Sequence, residues 1–369
     1  MTLTRQAGAT PAQLRRSWLD RIEVAENMLA AGDPELARRC ACEAERLALM
    51  LGEPRPLRRT GRIFESLAEP GRAAGLVADA ERIEQPCGPA EWTGEPLDGR
   101  LAVISRIDHV GRPIRMARLI HLASLRVARC TVIAEPRLVP LFRRSFPLSE
   151  TVASGDGDAA ILAASDAVAG YNTLARHLCG DAQAMKANFR PLLPDKGMLG
   201  RLRKRYGSDA LVGISWHSVG ENKDLPGLER WSEFLGATDA DFLSLQYGDI
   251  AADADYLKRS GGRKLIHDGT IDPLLDLDGF AAQIAACRAV VTISNTCAHM
   301  AGAMGKRTFL LLDDDIRLSW PADGLASPWY PATTIIRRRA RPWAKVFEEA
   351  RMRLSRFLTR RAQRAPSGA

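Results

Sequence analysis

Three zones of hydrophobic patterning run along the chain. From about Trp18 to Ile83, apolar and small residues recur every three or four positions in WLDRIEVAENMLAAG, ELARRCACEAERLALMLG and LRRTGRIFESLAEPGRAAGLVADAERI. That period predicts amphipathic helices. The punctuation agrees: Gly32 closes one helix, and Asp33-Pro34 supplies a capping carboxylate and a first-turn proline for the next. Residues 86–99 hold Pro86, Gly88, Pro89, Gly94, Pro96 and Gly99, the composition of a linker.

From Arg100 to about Pro194 the pattern changes to short apolar runs alternating with helical ones. LAVIS and CTVIAE read as buried strands around the amphipathic IRMARLIHLASL, and SDAVAGYN as a further strand with its loop. From Ala210 the alternation sharpens. LVGIS, FLSLQ, KLIHD, VVTI, TFLLL and TTIIR predict six strands, with helices between them and a long terminal helix. Alternation of this kind implies doubly wound parallel sheets, which bind ligands beyond the carboxyl ends of their strands. The expected order is a helical region over 1–85, a linker over 86–99, a short α/β domain over 100–195, a second over 196–340, and a basic helix and tail over 341–369. A cleft between the two α/β domains is the expected active site.

Composition narrows the classes. At 369 residues, with 46% hydrophobic and 26% charged content, the chain belongs to the globular class with two or three domains. No apolar run is long enough to span a bilayer, and the opening MTLTRQAGATPAQLRRSWL lacks the apolar stretch of a signal peptide. The seven cysteines are scattered, without CxxC or Cys/His ligand spacing, so neither a disulfide framework nor a metal site is expected. A cytoplasmic location follows as the expectation. The net charge of +8 is concentrated: eleven Lys or Arg against Glu348 and Glu349 put +9 on the segment from Arg337 onward, leaving −1 for the rest. A nucleic-acid binder carries its basic face on the folded core, so no nucleic-acid partner is expected.

Candidate chemistry gathers in the loops at the strand ends. In VVTISNTCAHMAGAMGK, a polar turn of Ser294, Asn295 and Thr296 leads directly into a helix of small residues. Its first-turn amides and dipole suit an anion, and His299 lies about one turn beyond Thr296 on the same side. Taken alone, the motif equally fits a capped structural helix with a buried histidine. GISWHSVGENKDLPGL adds Ser218, Asn222 and Lys223, the last a natural partner for a diphosphate. SLQYGD presents Gln246, Tyr247, Gly248 and Asp249, where Tyr247 can stack on a base and Asp249 can accept from ribose hydroxyls; a turn of this composition can also be only a turn.

GISWHS with Lys223-Asp224-Leu225-Pro226, SLQYGD, HDGTIDPLLDLDGFAAQIAACRAVVTISNTCAHMAGAMGK and SPWYP occur in this order over roughly a third of the chain. Together they resemble the nucleotide-binding half of the heptosyltransferase-like glycosyltransferases of family 9, in the bacterial branch where that domain follows tetratricopeptide repeats. The helix–turn–helix pattern before residue 85 is similar to one or two tetratricopeptide-type hairpins, or to a plain helical bundle. The resemblance implies a GT-B architecture: a pair of doubly wound parallel sheets, one receiving the acceptor and one binding a nucleotide-diphosphate sugar. It implies Lys223, Asn295, Thr296 and His299 around the donor diphosphate, Gln246 to Asp249 by the nucleoside, and no metal or other cofactor.

Two positions depart from the family pattern. Where the family has Gly-Asp, its candidate base, this chain has Gly111-Arg112, and a guanidinium cannot take a proton at neutral pH. Asp108 and His109 are the substitutes at hand. Many relatives also have an acid where Ser294 stands. Two functions follow: an inverting transferase moving a sugar to a glycan, lipid-linked or protein acceptor, or a degenerate relative that binds without turnover. No GxGxxG, Walker or GxSxG motif supports an unrelated enzyme. In the terminal segment, Val346, Phe347, Ala350, Leu354, Phe357 and Leu358 recur at helical spacing among arginines. A GT-B helix of this kind is expected to cross back onto the first domain, its basic side available to an anionic membrane surface at the inner membrane.

Overall fold

The structure is a computed structural model that describes residues 9–84, 90–105, 110–180, 182–208, 210–218, 224–314, 320–321, 324 and 326–362. The chain opens with two helical hairpins, α1 (Pro11–Ala31) with α2 (Pro34–Leu51) and α3 (Pro54–Ser66) with α4 (Pro70–Glu84). Thr10 and Gln13 form a reciprocal capping box on α1, Asp33 accepts from Leu36 N, and Gly32 and Gly52 end α1 and α2 in the left-handed region. Leu14, Trp18, Ile22, Ala25 and Leu29 bury one stripe of α1 against Ala37, Ala41, Ala44 and Ala48, whose small side chains let the helices close up. The third helical run of the sequence is broken: Ala68 sits at φ 62° and Pro70 restarts the chain, so one expected helix becomes α3 and α4.

The first α/β domain contains β1 (Leu97–Ser105), α5 (Gly111–Met116), α6 (Arg118–Ser124), β2 (Val127–Ala134), α7 (Val139–Ser145), β3 (Glu150–Ala153), α8 (Asp158–Ala163), β4 (Ala167–Gly170), α9 (Tyr171–Leu178) and α10 (Ala182–Ala187). Its four parallel strands lie in the order β3-β2-β1-β4. The expected linker over 86–99 needs correction at its second half. Trp92 is buried, its N–H donates to Val168 O at 2.8 Å, and β1 already begins at Leu97. A tryptophan able to fill the core edge outweighs the turn-forming residues around it.

The second α/β domain runs through α11 (Lys196–Tyr206), β5 (Leu211–Ser215), α12 (Leu228–Ala237), β6 (Asp241–Ser244), α13 (Ala251–Gly261), β7 (Leu265–Ile266), α14 (Leu277–Ala286), β8 (Ala289–Ile293), α15 (Thr296–Ala303), β9 (Thr308–Leu312), β10 (Thr333–Arg337) and α16 (Trp343–Ala362). Its six parallel strands follow the order β10-β9-β8-β5-β6-β7. The chain moves outward from β5 to β7 and then returns to β8 on the other side of β5. The switch point between β5 and β8 is where such a sheet opens a ligand crevice. Gly213 at the centre of β5 has no room for a side chain: a Cβ there would lie 2.3 Å from Leu245 Cδ1.

The terminal helix also departs from expectation. Val346, Phe347, Ala350 and Leu354 do not cross to the first domain; they are buried with Trp231, Phe234 and Ile336 on the second domain's own sheet. The Trp231 and Phe347 rings meet edge to face at 5.1 Å. That sheet face needs a cover beyond α12 and α13, and the apolar stripe of α16 supplies it.

The two α/β domains meet along a continuous buried cluster that includes Val103 and Ile114 from the first and Phe280, Val290 and Tyr330 from the second. Arg144 pairs with Asp278 across the seam, and Leu192 N donates to Ala303 O at 3.0 Å. The connecting helix α11 is tied to the second sheet through Asp268, which accepts from Arg205 and from Tyr206 Oη, both at 2.9 Å, and from Thr270 Oγ1 at 2.6 Å. Burial alone would raise the Asp268 carboxyl, but these donors hold it below its ordinary value. A depressed folded pKa contributes stability above the unfolded value and loses it as pH falls through the folded one. Asp268→Asn is therefore expected to cost about 1–3 kcal/mol near neutral pH. Urea midpoints of the two proteins should converge as the pH is lowered from about 5 towards 3.

Candidate active site at the strand ends

Three strand ends are drawn together by two buried amide side chains. Gln246, just past β6, places Oε1 where it accepts from Ser215 Oγ at 2.9 Å and from the Trp216 and His217 N–H groups, both at 2.8 Å. Its Nε2 donates to His217 O at 3.2 Å and Tyr247 O at 3.3 Å. Asn295, just past β8, donates from Nδ2 to Ser215 Oγ at 2.8 Å and His217 O at 3.2 Å. Its Oδ1 accepts from Ala298 N and Thr292 Oγ1, both at 3.3 Å, which makes it the N-cap of α15. The chain leaving β5 has no strand partner at this point, and the clasp satisfies its amides without water.

The start of α15 opens from this clasp. Ala298 N is taken by the cap, while Thr296 and Cys297 contribute first-turn amides that have no partner within a helix. Ser294 and Thr296 are half-buried, with hydroxyls at the turn. His299 stands one turn on, sandwiched in an aromatic group. It stacks on Trp320 at 5.2 Å and 9°, and its Nδ1 lies 2.9 Å from Tyr330 Oη. Trp320 Nε1 in turn donates to Ser294 Oγ at 2.8 Å. Burial pushes the Tyr330 phenol far above its usual range, so the hydroxyl stays protonated and able to donate to Nδ1. In that tautomer the imidazole carries its hydrogen on Nε2. Gly302 makes the arrangement fit, since a Cβ there would strike the Tyr330 ring at 2.5 Å.

The first domain approaches from the other side. A Cβ built on Gly111, at the start of α5, would lie 3.1 Å from His299 Cδ2, so the start of α5 meets the first turns of α15 edge to edge. Arg112 points away from this contact. It donates to Asn172 Oδ1, and Asn172 Nδ2 donates to Glu81 of the helical region at 2.7 Å. Burial, and then the neighbouring Arg115, push the Arg112 guanidinium below the ordinary arginine value. Arg115 bridges three parts of the chain, pairing with Glu65 at 2.5 Å and lying 5.4 Å from the Trp329 ring centroid.

The residues expected from sequence divide into groups. Asp108, His109, Asn222 and Lys223 lie outside the described residues. Ser294, Thr296 and His299 converge at the start of α15; Ser218 is buried beside the same strand end, and Tyr247 is half-buried at the neighbouring one. Three of the expected donor-site residues also have partners inside the protein. Gln246 and Asn295 have every side-chain donor committed inside the protein, where they build the loops. Asp249 is exposed and accepts from Ala251 N at 3.3 Å at the start of α13, a capping role. Trp320 and Tyr330 were missed as partners of His299. The one available signal was the aromatic content of the loop-rich stretch that includes SPWYP. Among the described residues no group of His, Cys, Asp and Glu is arranged to hold a metal, and no helix is long and apolar enough to cross a membrane.

No protein-family model matches the chain. Among solved structures, it is similar to the glycosyl transferase family 9 protein of Veillonella parvula, with a TM-score of 0.50 and 12% identity over 65% of this chain and 86% of that one. The E. coli ADP-heptose LPS heptosyltransferase II aligns with a TM-score of 0.48 and 12% identity, over 70% and 99% of the two chains. The fold is thus the paired α/β arrangement found in family 9 glycosyltransferases. By sequence, the chain is 26% identical over 336 residues to Protein FlbA of Caulobacter vibrioides, covering 85% of this chain and 56% of that protein. It therefore spans about half the length of the curated relative it matches.

The clasp makes a direct prediction. Gln246→Ala orphans three donors at the end of β5, with an expected loss of at least ~2 kcal/mol in chemical unfolding.

Proposed function

We propose that the chain transfers a sugar from a nucleotide-diphosphate donor to a hydroxyl acceptor by direct displacement with inversion. The observation that carries this reading is the contact between Gly111 and His299. It sets the start of α5, from the first domain, against an anion-ready helix start of the second, the two halves such a reaction needs. The donor diphosphate lies at the amides of Thr296 and Cys297 with the hydroxyls of Ser294 and Thr296, and Lys223 supplies the cation that pairs with it. His299, fixed by Trp320 and Tyr330, stands one turn along the same helix. Tyr247 at the neighbouring strand end receives the nucleoside base.

In the reaction, the acceptor oxygen attacks the anomeric carbon opposite the leaving group. Its proton passes to Asp108 or His109, and the bond from carbon to the diphosphate oxygen breaks with its electron pair going to the diphosphate. The cation and helix dipole stabilise the charge as it develops. The acceptor, whether glycan, lipid-linked saccharide or protein, enters beside the tetratricopeptide-like helices, which adjoin α5 through Glu65 and α9 through Glu81. One observation favours a second reading, binding without turnover. The residue at the family's base position is Arg112, committed to Asn172.

Thermal-shift and calorimetric titration with nucleoside diphosphates and their sugars tests the donor site. Saturable binding is expected, weakened about 10- to 100-fold by Lys223→Ala, the loss of a charge-assisted contact. Asp108→Asn or His109→Gln should lower transfer or donor hydrolysis by about 10²–10⁴-fold with binding retained. Binding without any turnover in the parent protein would favour the second reading, and absence of nucleotide binding would remove both.

Peripheral attachment at an anionic membrane is part of the first reading, since Arg351 and Arg356 stand exposed on α16. Co-sedimentation should rise with the anionic lipid content of vesicles and fall in Arg351→Gln/Arg356→Gln; indifference to lipid charge would discard it.

A further inference from the structure

A narrow cavity lies on the seam between the two α/β domains, behind the His299 cluster. Its charged lining is of one sign: Arg115 and Arg118 from the first domain and Arg190 from the connecting segment, with no carboxylate among its described lining residues. Phe189, Trp329 and Tyr330 form aromatic walls. Arg118 is the most confined of the three, 5% exposed. Its Nη2 donates to Met185 O, while Nε and Nη1 meet no acceptor among the described residues. Arg115 has its carboxylate in Glu65, and Arg190 reaches Phe189 O at 3.2 Å. A buried guanidinium with two unmet donors is costly unless a counter-charge joins it. The cavity volume, about 10 Å³, admits one particle the size of a water molecule or a halide.

We propose that this cavity binds a small monovalent inorganic anion of chloride size, held by Arg118 with Arg190 and walled by Phe189 and Trp329. The ligand is selected by size and sign: a second oxygen shell, as in sulfate or phosphate, has no room, and a cation is repelled by the three arginines. Burial pulls the Arg118 guanidinium below its ordinary value, with Arg190 adding to the effect, which is the penalty an anion relieves. The cavity is walled by Ile114 of α5, Leu192 of the connecting segment and Ala303 of α15, so an anion there ties both domains at the seam. The proposal does not depend on the sugar-transfer reading.

Thermal unfolding of the full chain at constant ionic strength, with gluconate replaced stepwise by chloride, tests it. The midpoint is expected to rise saturably, by about 2 °C at chloride tenfold above half-saturation. Bromide should act like chloride, and sulfate should not. Arg118→Met, which removes the charge and keeps the volume, should abolish the response. In parallel, crystals soaked in bromide should show an anomalous peak between Arg118 and Arg190, a reading that holds even if Arg118→Met fails to fold. A midpoint indifferent to chloride, an equal response to sulfate, a response retained in Arg118→Met, or no bromide at this position would each overturn the proposal.

Discussion

Much of the candidate site rests on one acceptor atom, Gln246 Oε1. A parallel sheet must release its chain at the carboxyl end of every strand, and in the centre of a sheet that release happens inside the protein. After Ser215 the backbone leaves β5 between two neighbouring strand ends, with N–H groups that no ladder can pair. Gln246 Oε1 takes Trp216 N and His217 N together with the Ser215 hydroxyl. The opposite end of the same amide, with Asn295 from the other side, holds the His217 carbonyl. The loop carrying Ser218 therefore departs in one direction. Asn295 serves the clasp and the α15 cap at once, so the helix start and the chain from Ser215 to His217 are positioned by the same pair of side chains.

This dual use explains what was legible in the sequence and what was not. The six apolar runs from LVGIS to TTIIR correspond to the six strands of the second sheet, because strands buried on both faces leave an unbroken apolar signature. The turn Ser294-Asn295-Thr296 before a run of small residues marked the helix start just as plainly. What the pattern of polar residues at strand ends could not separate was a group that faces a ligand from one that faces the backbone. Gln246 and Asn295 look the same as Thr296 in one dimension; only the pairing of their donors distinguishes them. The aromatic support of His299 was hidden for a different reason. Trp320 and Tyr330 reach it from a long irregular segment between β9 and β10, where no periodicity links a residue to its neighbour in space. The path of α16 was misjudged because an apolar stripe states that a helix is covered, and does not say by which sheet.

Arg112 illustrates how a substituted position can be put to another use. A carboxylate at this place would face Glu81 and Glu65, whose negative charge both act on the guanidinium. An arginine suits that surrounding better, and its bond to Asn172 passes on to Glu81. The charge of the position thus matches the helical hairpins that pack on α9. Gly111, by contrast, keeps the requirement imposed from the second domain: a side chain there would press on the His299 ring. Two adjacent residues are therefore governed by different neighbours, one by the cleft and one by the helical region.

The same reasoning bears on the helical region as a whole. Its contacts to the first α/β domain are charged and specific: Glu65 with Arg115, Asp79 with Arg176, Glu81 with Asn172. Glycines on α4 allow close approach, since a Cβ on Gly71 would lie 2.6 Å from Cys179 O. Arg115 carries the connection further, because the guanidinium that meets Glu65 also covers Trp329 in the second domain. Through this one side chain the hairpins, α5 of the first domain and Trp329 of the second share a boundary. Truncating Arg115 would leave the Glu65 carboxylate half-buried without its partner and uncover the Trp329 face, so both sides of the boundary would loosen together. The helical hairpins are accordingly linked through Arg115 to the second domain as well as to the first.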